Sequence, residues 1–208
     1  MPNISYAIMT HNEGECIEKL ISFIIENKQD HDEIVVVDDY STDPITKAIL
    51  EEHESMRHIK LFKRELNKDF ASQKNFLTEQ CSNEWIFNID ADEMPDAALI
   101  DILPEIIAIN RNVDCIAVPR ANIVNGITDD HIQKWGWSKD DKNRINWPDY
   151  QLRIYKRSPK IKWIGAVHER PSGWDIISSI PADEEDLCLH HVKDISKQEL
   201  QNEFYGTI

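Results

Sequence analysis

The chain has 208 residues, of which 41% are hydrophobic and 29% charged, and it carries a formal charge of −15. That length allows one substantial core, and the composition is that of a soluble globular chain rather than a disordered one. The acidic balance argues against non-specific nucleic-acid binding, which needs basic residues to neutralise phosphates, and a phosphorylated ligand here would require a divalent cation between two negative partners.

Ile4–Met9 reads as a first strand, followed by the polar turn THNEGE. From Glu15 to Lys28, Ile17, Leu20, Ile21 and Ile24 recur at helical spacing and predict an amphipathic helix. Ile34–Val37 is a short, wholly apolar run, as in a strand covered on both faces, and it ends in Asp38 and Asp39. Ser41 to Asp43 followed by Pro44 marks a helix start, with the helix running to Glu54. Ile59–Phe62 is a third strand, Asp69–Cys81 a helix and Glu84–Ile89 a fourth strand. Pro95–Asn110 reads as a helix that Pro104 breaks in two.

Strand and helix thus alternate through the first 110 residues, which predicts a mostly parallel sheet with helices on both sides. Such sheets bind ligands beyond the carboxyl ends of their strands, where Thr10, Asp38, Asp39 and Asp90 fall. The second half differs. Asp114–Val124 is strand-like, Asn125–Trp147 is polar and aromatic without clear period, and Tyr150–Lys156 alternates as a half-exposed strand. Lys160–Ala166 and Asp186–His191 are further strands, and Ile195–Phe204 is a closing helix. With no repeat or linker, the reading is one domain over 1–208: a nucleotide-binding half (1–110) and an acceptor-side half (111–208).

Cys16, Cys81, Cys115 and Cys188 are scattered without a CxxC pair, so zinc spacing and a disulfide framework are not expected. Cys16 and Cys81 fall in helical patterns, where buried free thiols are common. The N-terminus has no basic stretch followed by an apolar one, and no run approaches about 18 apolar residues. The expectation is a reducing, cytoplasmic setting with no transmembrane segment.

Asp90-Ala91-Asp92 puts two carboxylates at i and i+2, where alternate side chains share a face and can serve one hard cation. A plainer account also fits: a solvated acidic turn with Glu93 and Asp96 capping the next helix. In VVVDDYSTD, Asp38 or Asp39 can accept a hydrogen bond from a base or ribose while Asp43 caps. Lys74 and Arg153 are candidates to offset a diphosphate or orient a sugar, or else are surface charges. Glu169, in WIGAVHERP, fits a general base, and a histidine among His168, His190 and His191 can supply a metal ligand or simply a structural hydrogen bond. No HExxH is present. Trp135, Trp137, Trp147, Trp163 and Trp174 offer flat faces for sugar rings or filling for a core.

In order, MTHNEGE, VVVDDYSTD, DFASQKNF, WIFNIDADE, YQLRIYKR, WIGAVHE and LHH resemble a family 2 glycosyltransferase of the GT-A fold. The last segments are most similar to a small bacterial and phage-type subgroup with a G-x-VHE segment. The resemblance implies a Rossmann-like α/β sheet and metal-dependent, inverting transfer of a sugar from a nucleotide-diphosphate donor, with a UDP-sugar expected. It makes Asp38 and Asp39 the nucleotide-binding pair and Asp90 and Asp92 the DxD that holds Mn²⁺ or Mg²⁺ against the diphosphate. It also makes Glu169 the base and His190 or His191 the late histidine, with His168 a further metal candidate. Lys74 stands where many members carry arginine, and Tyr40 replaces the glycine common after the acidic pair. The acceptor, whether sugar, lipid-linked or protein, is left open, and one brought in solution or by a partner is expected. Two alternatives are a catalytically silent nucleotide- or sugar-binding module and a nucleotidyltransferase. THNEGE disfavours the latter, having one glycine and no GxG.

Overall fold

The computed structural model describes residues 2–166 and 168–205, so Val167 of the WIGAVHE segment lies outside the described residues. The alternation expected for the first half is met by β1 (Ile4–Thr10), α1 (Glu15–Asn27), β2 (Glu33–Asp38), α2 (Pro44–Ser55), β3 (Lys60–Lys63), α3 (Phe70–Gln80) and β4 (Trp85–Asp90). A three-residue strand, β5 (Glu93–Pro95), precedes α4 (Ala97–Ile109). The remainder comprises β6 (Cys115–Asn125), α5 (Asp129–Trp135), β7 (Ile145–Lys156), β8 (Lys162–Ile164), β9 (Arg170–Ser172), β10 (Ile177–Ser179), β11 (Leu189–Asp194) and α6 (Ile195–Tyr205).

One mixed sheet of nine strands runs through both halves in the order β3-β2-β1-β4-β7-β6-β11-β5, with β10 also paired to β6. β1, β2, β3 and β4 are mutually parallel, whereas β7 is antiparallel to β4 and β6. Strand alternation divides the core. Ile4, Tyr6 and Ile8 of β1 pack in one cluster with Ile17, Leu20, Ile21 and Ile24 of α1 and with α4. Ala7 faces the other way, onto Ala71 and Leu77 of α3. Each buried α1 side chain stabilises by about 1.5–3 kcal/mol, so the apolar stripe alone is enough to dock the helix.

Two expectations need correction. Pro104 does not break α4, which runs unbroken through it. Proline removes one helical N–H, but Leu99, Ile100, Leu103 and Ile107 are buried on both sides of it and hold the helix to the sheet. Cys16 is exposed, because it lies off the apolar stripe of α1, while Cys81, Cys115 and Cys188 are buried.

β8 and β9 form a separate two-stranded ribbon against α3. Asn75 clamps it, its amide donating to the Trp163 carbonyl at 2.9 Å and accepting from the Trp163 N–H at 2.8 Å. Gly173 closes the ribbon at φ +87°, where a Cβ would sit 2.0 Å from the Lys160 carbonyl oxygen. The turn between β8 and β9 carries His168 and Glu169.

Candidate active site

A groove of three hollows crosses the carboxyl ends of β1, β2 and β4. The first, about 720 Å³, is lined by His11, Asp39, Tyr40 and the 65–68 loop. The middle one, about 550 Å³, shares His11, Asp39 and Leu66 with it and adds Thr10, Asp90, Asp92 and Glu169. The third, about 330 Å³, shares Asp90, Asp92 and Glu169 with the middle and extends past Asn122, Trp137 and Gln151.

Neighbouring side chains of a strand end point oppositely, and this separates the first acidic pair. Asp38 is 1% exposed and accepts from the Ser41 N–H at 2.9 Å and the Ser41 hydroxyl at 2.6 Å. It is thus turned inward as a brace for the turn. Asp39 lies on the groove, with one carboxylate oxygen accepting from the Leu66 N–H at 2.8 Å. Thr10 is buried beside it, and its hydroxyl has no hydrogen-bond partner among the described residues. Tyr40 sits at φ +47° with its ring exposed, a backbone conformation that explains why glycine suits this position.

Asp90 ends β4 and is engaged by the protein's own cations. Lys74 of α3, 1% exposed, places its ammonium 3.2 Å from Asp90 Oδ1 and 2.8 Å from Glu169 Oε1, above the Trp163 ring. Arg153 of β7 donates to the other Asp90 oxygen and to Glu93 Oε1 at 2.7 Å. Burial alone would raise the Asp90 carboxyl, but Arg153 and then Lys74 overcome it and hold it well below the usual carboxylate range. Lys74 and Arg153 are therefore committed to carboxylates and buried, rather than free to meet a diphosphate. The sequence could not reveal this, because their partners lie up to 95 residues away.

Asp92 is the carboxylate with a metal-type neighbour. Its Oδ2 lies 3.3 Å from His191 Nε2 and 3.3 Å from the Lys197 ammonium of α6, which also reaches Glu13 at 3.1 Å. Burial raises the Asp92 carboxyl, and His191 followed by Lys197 outweighs it, so the group stays well below its ordinary range. His191 is oriented through Nδ1, 2.8 Å from Asn122 Oδ1. One carboxylate and one imidazole at this separation fit adjacent ligands of a divalent cation. Asp90 meets Lys74 through one oxygen and Arg153 through the other, whereas Asp92 meets both His191 and Lys197 through Oδ2.

His190 is on the opposite side of β11 and bonds Asp96 at 2.9 Å, so it does not join Asp92; adjacent strand residues alternate faces. His168, at φ +52°, lines the third hollow. Of the tryptophans, Trp137 lines that hollow and Trp163 is buried under Lys74.

Sequence reasoning overlooked the floor of the third hollow. Glu93 is 2% exposed and accepts from the Asp90 N–H at 3.1 Å, from Arg120 at 2.8 Å and from Arg153. Arg120 in turn grips Asp149 through Nε at 2.9 Å and Nη2 at 2.7 Å. Asp96, expected as a helix cap, makes no side-chain cap bond to α4. The available signal was alternation: Arg120 and Asn122 in β6, and Asp149, Gln151 and Arg153 in β7, are polar at every second position, facing a polar groove rather than bulk solvent.

The sequence profile described as glycosyl transferase family 2 matches residues 5–163. The lipopolysaccharide core biosynthesis glycosyltransferase LpsC of Rhizobium meliloti is 40% identical over 100 residues, 48% of this chain and 34% of its own. The SPbeta prophage-derived glycosyltransferase SunS of Bacillus subtilis is 24% identical over 84% of this chain and 36% of its own. The chain spans about a third of the length of these curated relatives. The crystal structure of S. aureus TarS 1-349 in complex with UDP-GlcNAc superposes with a TM-score of 0.62 at 18% identity, covering 93% of this chain and 59% of that one. At that identity the likeness speaks to the fold alone, and the fold is the mixed α/β sheet of GT-A type.

Proposed function

The chain belongs to glycosyl transferase family 2, and from that premise we propose that it transfers a sugar from a UDP-linked donor to an acceptor nucleophile with inversion, using Mn²⁺ or Mg²⁺. The observation that carries the reading is the wall of Asp90, Asp92 and Glu169 shared by two adjoining hollows. A donor seats its nucleotide toward Asp39 and Tyr40 and its sugar at that wall, and the acceptor approaches from the side of Trp137 and Gln151. UDP-GlcNAc in the TarS complex supports a UDP-linked donor.

Asp92 and His191 are the residues that would hold the cation, which when bound supplies Lewis-acid stabilisation to the departing diphosphate. Glu169 accepts the acceptor proton, held at the wall by Lys74 at 2.8 Å and by the β8–β9 ribbon. Arg153 and Lys74 keep Asp90 ionised, and Asp90 with Thr10 orients the donor from below. The floor of Arg120, Glu93 and Asp149 is held by reciprocal ion pairs, so the acceptor side is rigid before anything binds.

The test is a thermal-shift and turnover panel of UDP-, GDP- and dTDP-sugars with and without Mn²⁺, run on wild type and Asp92→Ala. A UDP-sugar is expected to raise the wild-type melting temperature only with the metal, and Asp92→Ala to lose that response. If no donor shifts or turns over in wild type and Asp92→Ala behaves identically, the enzyme reading fails; a shift without turnover in any acceptor mixture would point to a silent binding module.

A further inference from the structure

The geometry points to a second metal site, for Zn²⁺ or a similarly soft divalent cation, formed by Asp96, Cys188 and His190 on the face of β11 opposite Asp92. The three ligand atoms all lie within 4.8 Å of one another. Cys188 Sγ is 3.4 Å from Asp96 Oδ2 and 3.7 Å from His190 Nε2, and His190 Nε2 is 2.9 Å from Asp96 Oδ1. Tetrahedral zinc with its ordinary bond lengths separates sulfur from nitrogen or oxygen by ~3.5 Å, and nitrogen from oxygen by ~3.3 Å. Each pair lies within a few tenths of an ångström of those separations, but sulfur meets Asp96 Oδ2 and nitrogen meets Oδ1, so the half-buried carboxylate must also turn to present one oxygen to the ion.

The backbone holds this arrangement. Cys188 immediately precedes β11 and is two residues from His190, so the two side chains share a face. Asp96, at the start of α4, is tied to Cys188 both ways: the Asp96 N–H donates to the Cys188 carbonyl at 3.1 Å, and the Cys188 N–H to Asp96 Oδ2 at 3.2 Å. Cys188 is buried, whereas the His190 side chain is 42% and the Asp96 side chain 26% exposed. Water can complete the coordination from that side. A neutral thiol with an imidazole and a carboxylate is an ordinary zinc donor set once the thiol proton is released to solvent.

The donor chemistry sets this site apart from the one at Asp92. A thiolate selects zinc and its soft neighbours, while Mg²⁺ and Mn²⁺ prefer oxygen. Both sites are carried by β11, whose register with β5 sets His190 opposite Met94 and His191 opposite Glu93. A cation joining α4 to β11 at Asp96 and Cys188 would lock that register, and with it the position of His191. The inference does not depend on glycosyl transfer.

The experiment is titration of the full chain with Co²⁺, then Zn²⁺, followed by absorption. One equivalent of Co²⁺ is expected to give the strong visible bands of a four-coordinate ion and a near-ultraviolet thiolate-to-cobalt band, both removed by Zn²⁺ and neither by Mg²⁺. Cys188→Ser should abolish the thiolate band, and Asp92→Ala should leave it intact. His190→Ala, at a half-exposed position where folding is not at stake, should weaken binding by ~10-fold or more. Absence of the thiolate band in wild type overturns the proposal, as does its persistence in Cys188→Ser or an unchanged affinity in His190→Ala.

Discussion

Lys74 serves two carboxylates with one buried ammonium, and this decides how substitutions at the wall behave. Glu169→Gln keeps the side chain's shape and removes its basicity, so turnover should fall by about 10²–10⁴-fold while the donor-induced thermal shift persists. Lys74→Met instead strips the half-buried Glu169 of its ammonium and leaves Asp90 with Arg153 alone, and should cost about 1–3 kcal/mol, read as a lowered urea midpoint. A Glu169 that were merely structural would reverse the pattern, with Glu169→Gln losing stability and keeping rate. Tyr40 offers the converse case. Its φ of +47° disfavours any residue with a Cβ, so Tyr40→Gly should stabilise by about 0.5–1 kcal/mol. The same change removes the exposed ring from the first hollow, and nucleotide affinity measured by calorimetry should fall as the melting temperature rises.

At the scale of elements, Glu33 ties three strands together at the amino end of β2. Its carboxylate accepts from Ser5 of β1, from the Ser82 N–H and hydroxyl at 2.6 Å ahead of β4, and pairs with Lys60 of β3. Burial pushes its pKa up, but Lys60, Ser5 and Ser82 together bring it down to about 2. A depressed carboxylate contributes stability that is present above its ordinary value near 4.5 and is lost as pH falls toward about 2. Urea melts across that window should show wild type losing about 1–3 kcal/mol more than Glu33→Gln. The elements themselves were largely readable, because long apolar runs and the 3.6-residue period of α1 leave little choice. What escaped was short or polar: β5, β9 and β10 have three residues each, too few for a period to register. α5 is held by a capping box at Thr128 and a left-handed Gly136 rather than by an apolar stripe, and no residue in it is buried.

Across the whole molecule, the groove was foreseeable from three strand ends converging with Thr10, Asp38, Asp39 and Asp90, but the division of labour within it was not. Whether an aspartate meets a ligand or a buried arginine depends on β7, whose Arg153 is 63 residues from Asp90. Strand alternation, known in advance, could have separated Asp38 from Asp39 and His190 from His191, but which member of each pair faces the cleft depends on the elements packed against the sheet. Asp90, Asp92 and Glu169 belong to two hollows at once, and a partition shared by two compartments cannot respond to one occupant without altering the other. Under the proposed function, a donor that draws Asp92 away from Lys197 changes the surface an acceptor meets. Equilibrium linkage then demands symmetry: the factor by which bound UDP alters acceptor affinity must equal the factor by which acceptor alters UDP affinity. Paired titrations, each ligand alone and in the other's presence, should return one common ratio different from unity, and Lys197→Met should move both halves of that ratio together.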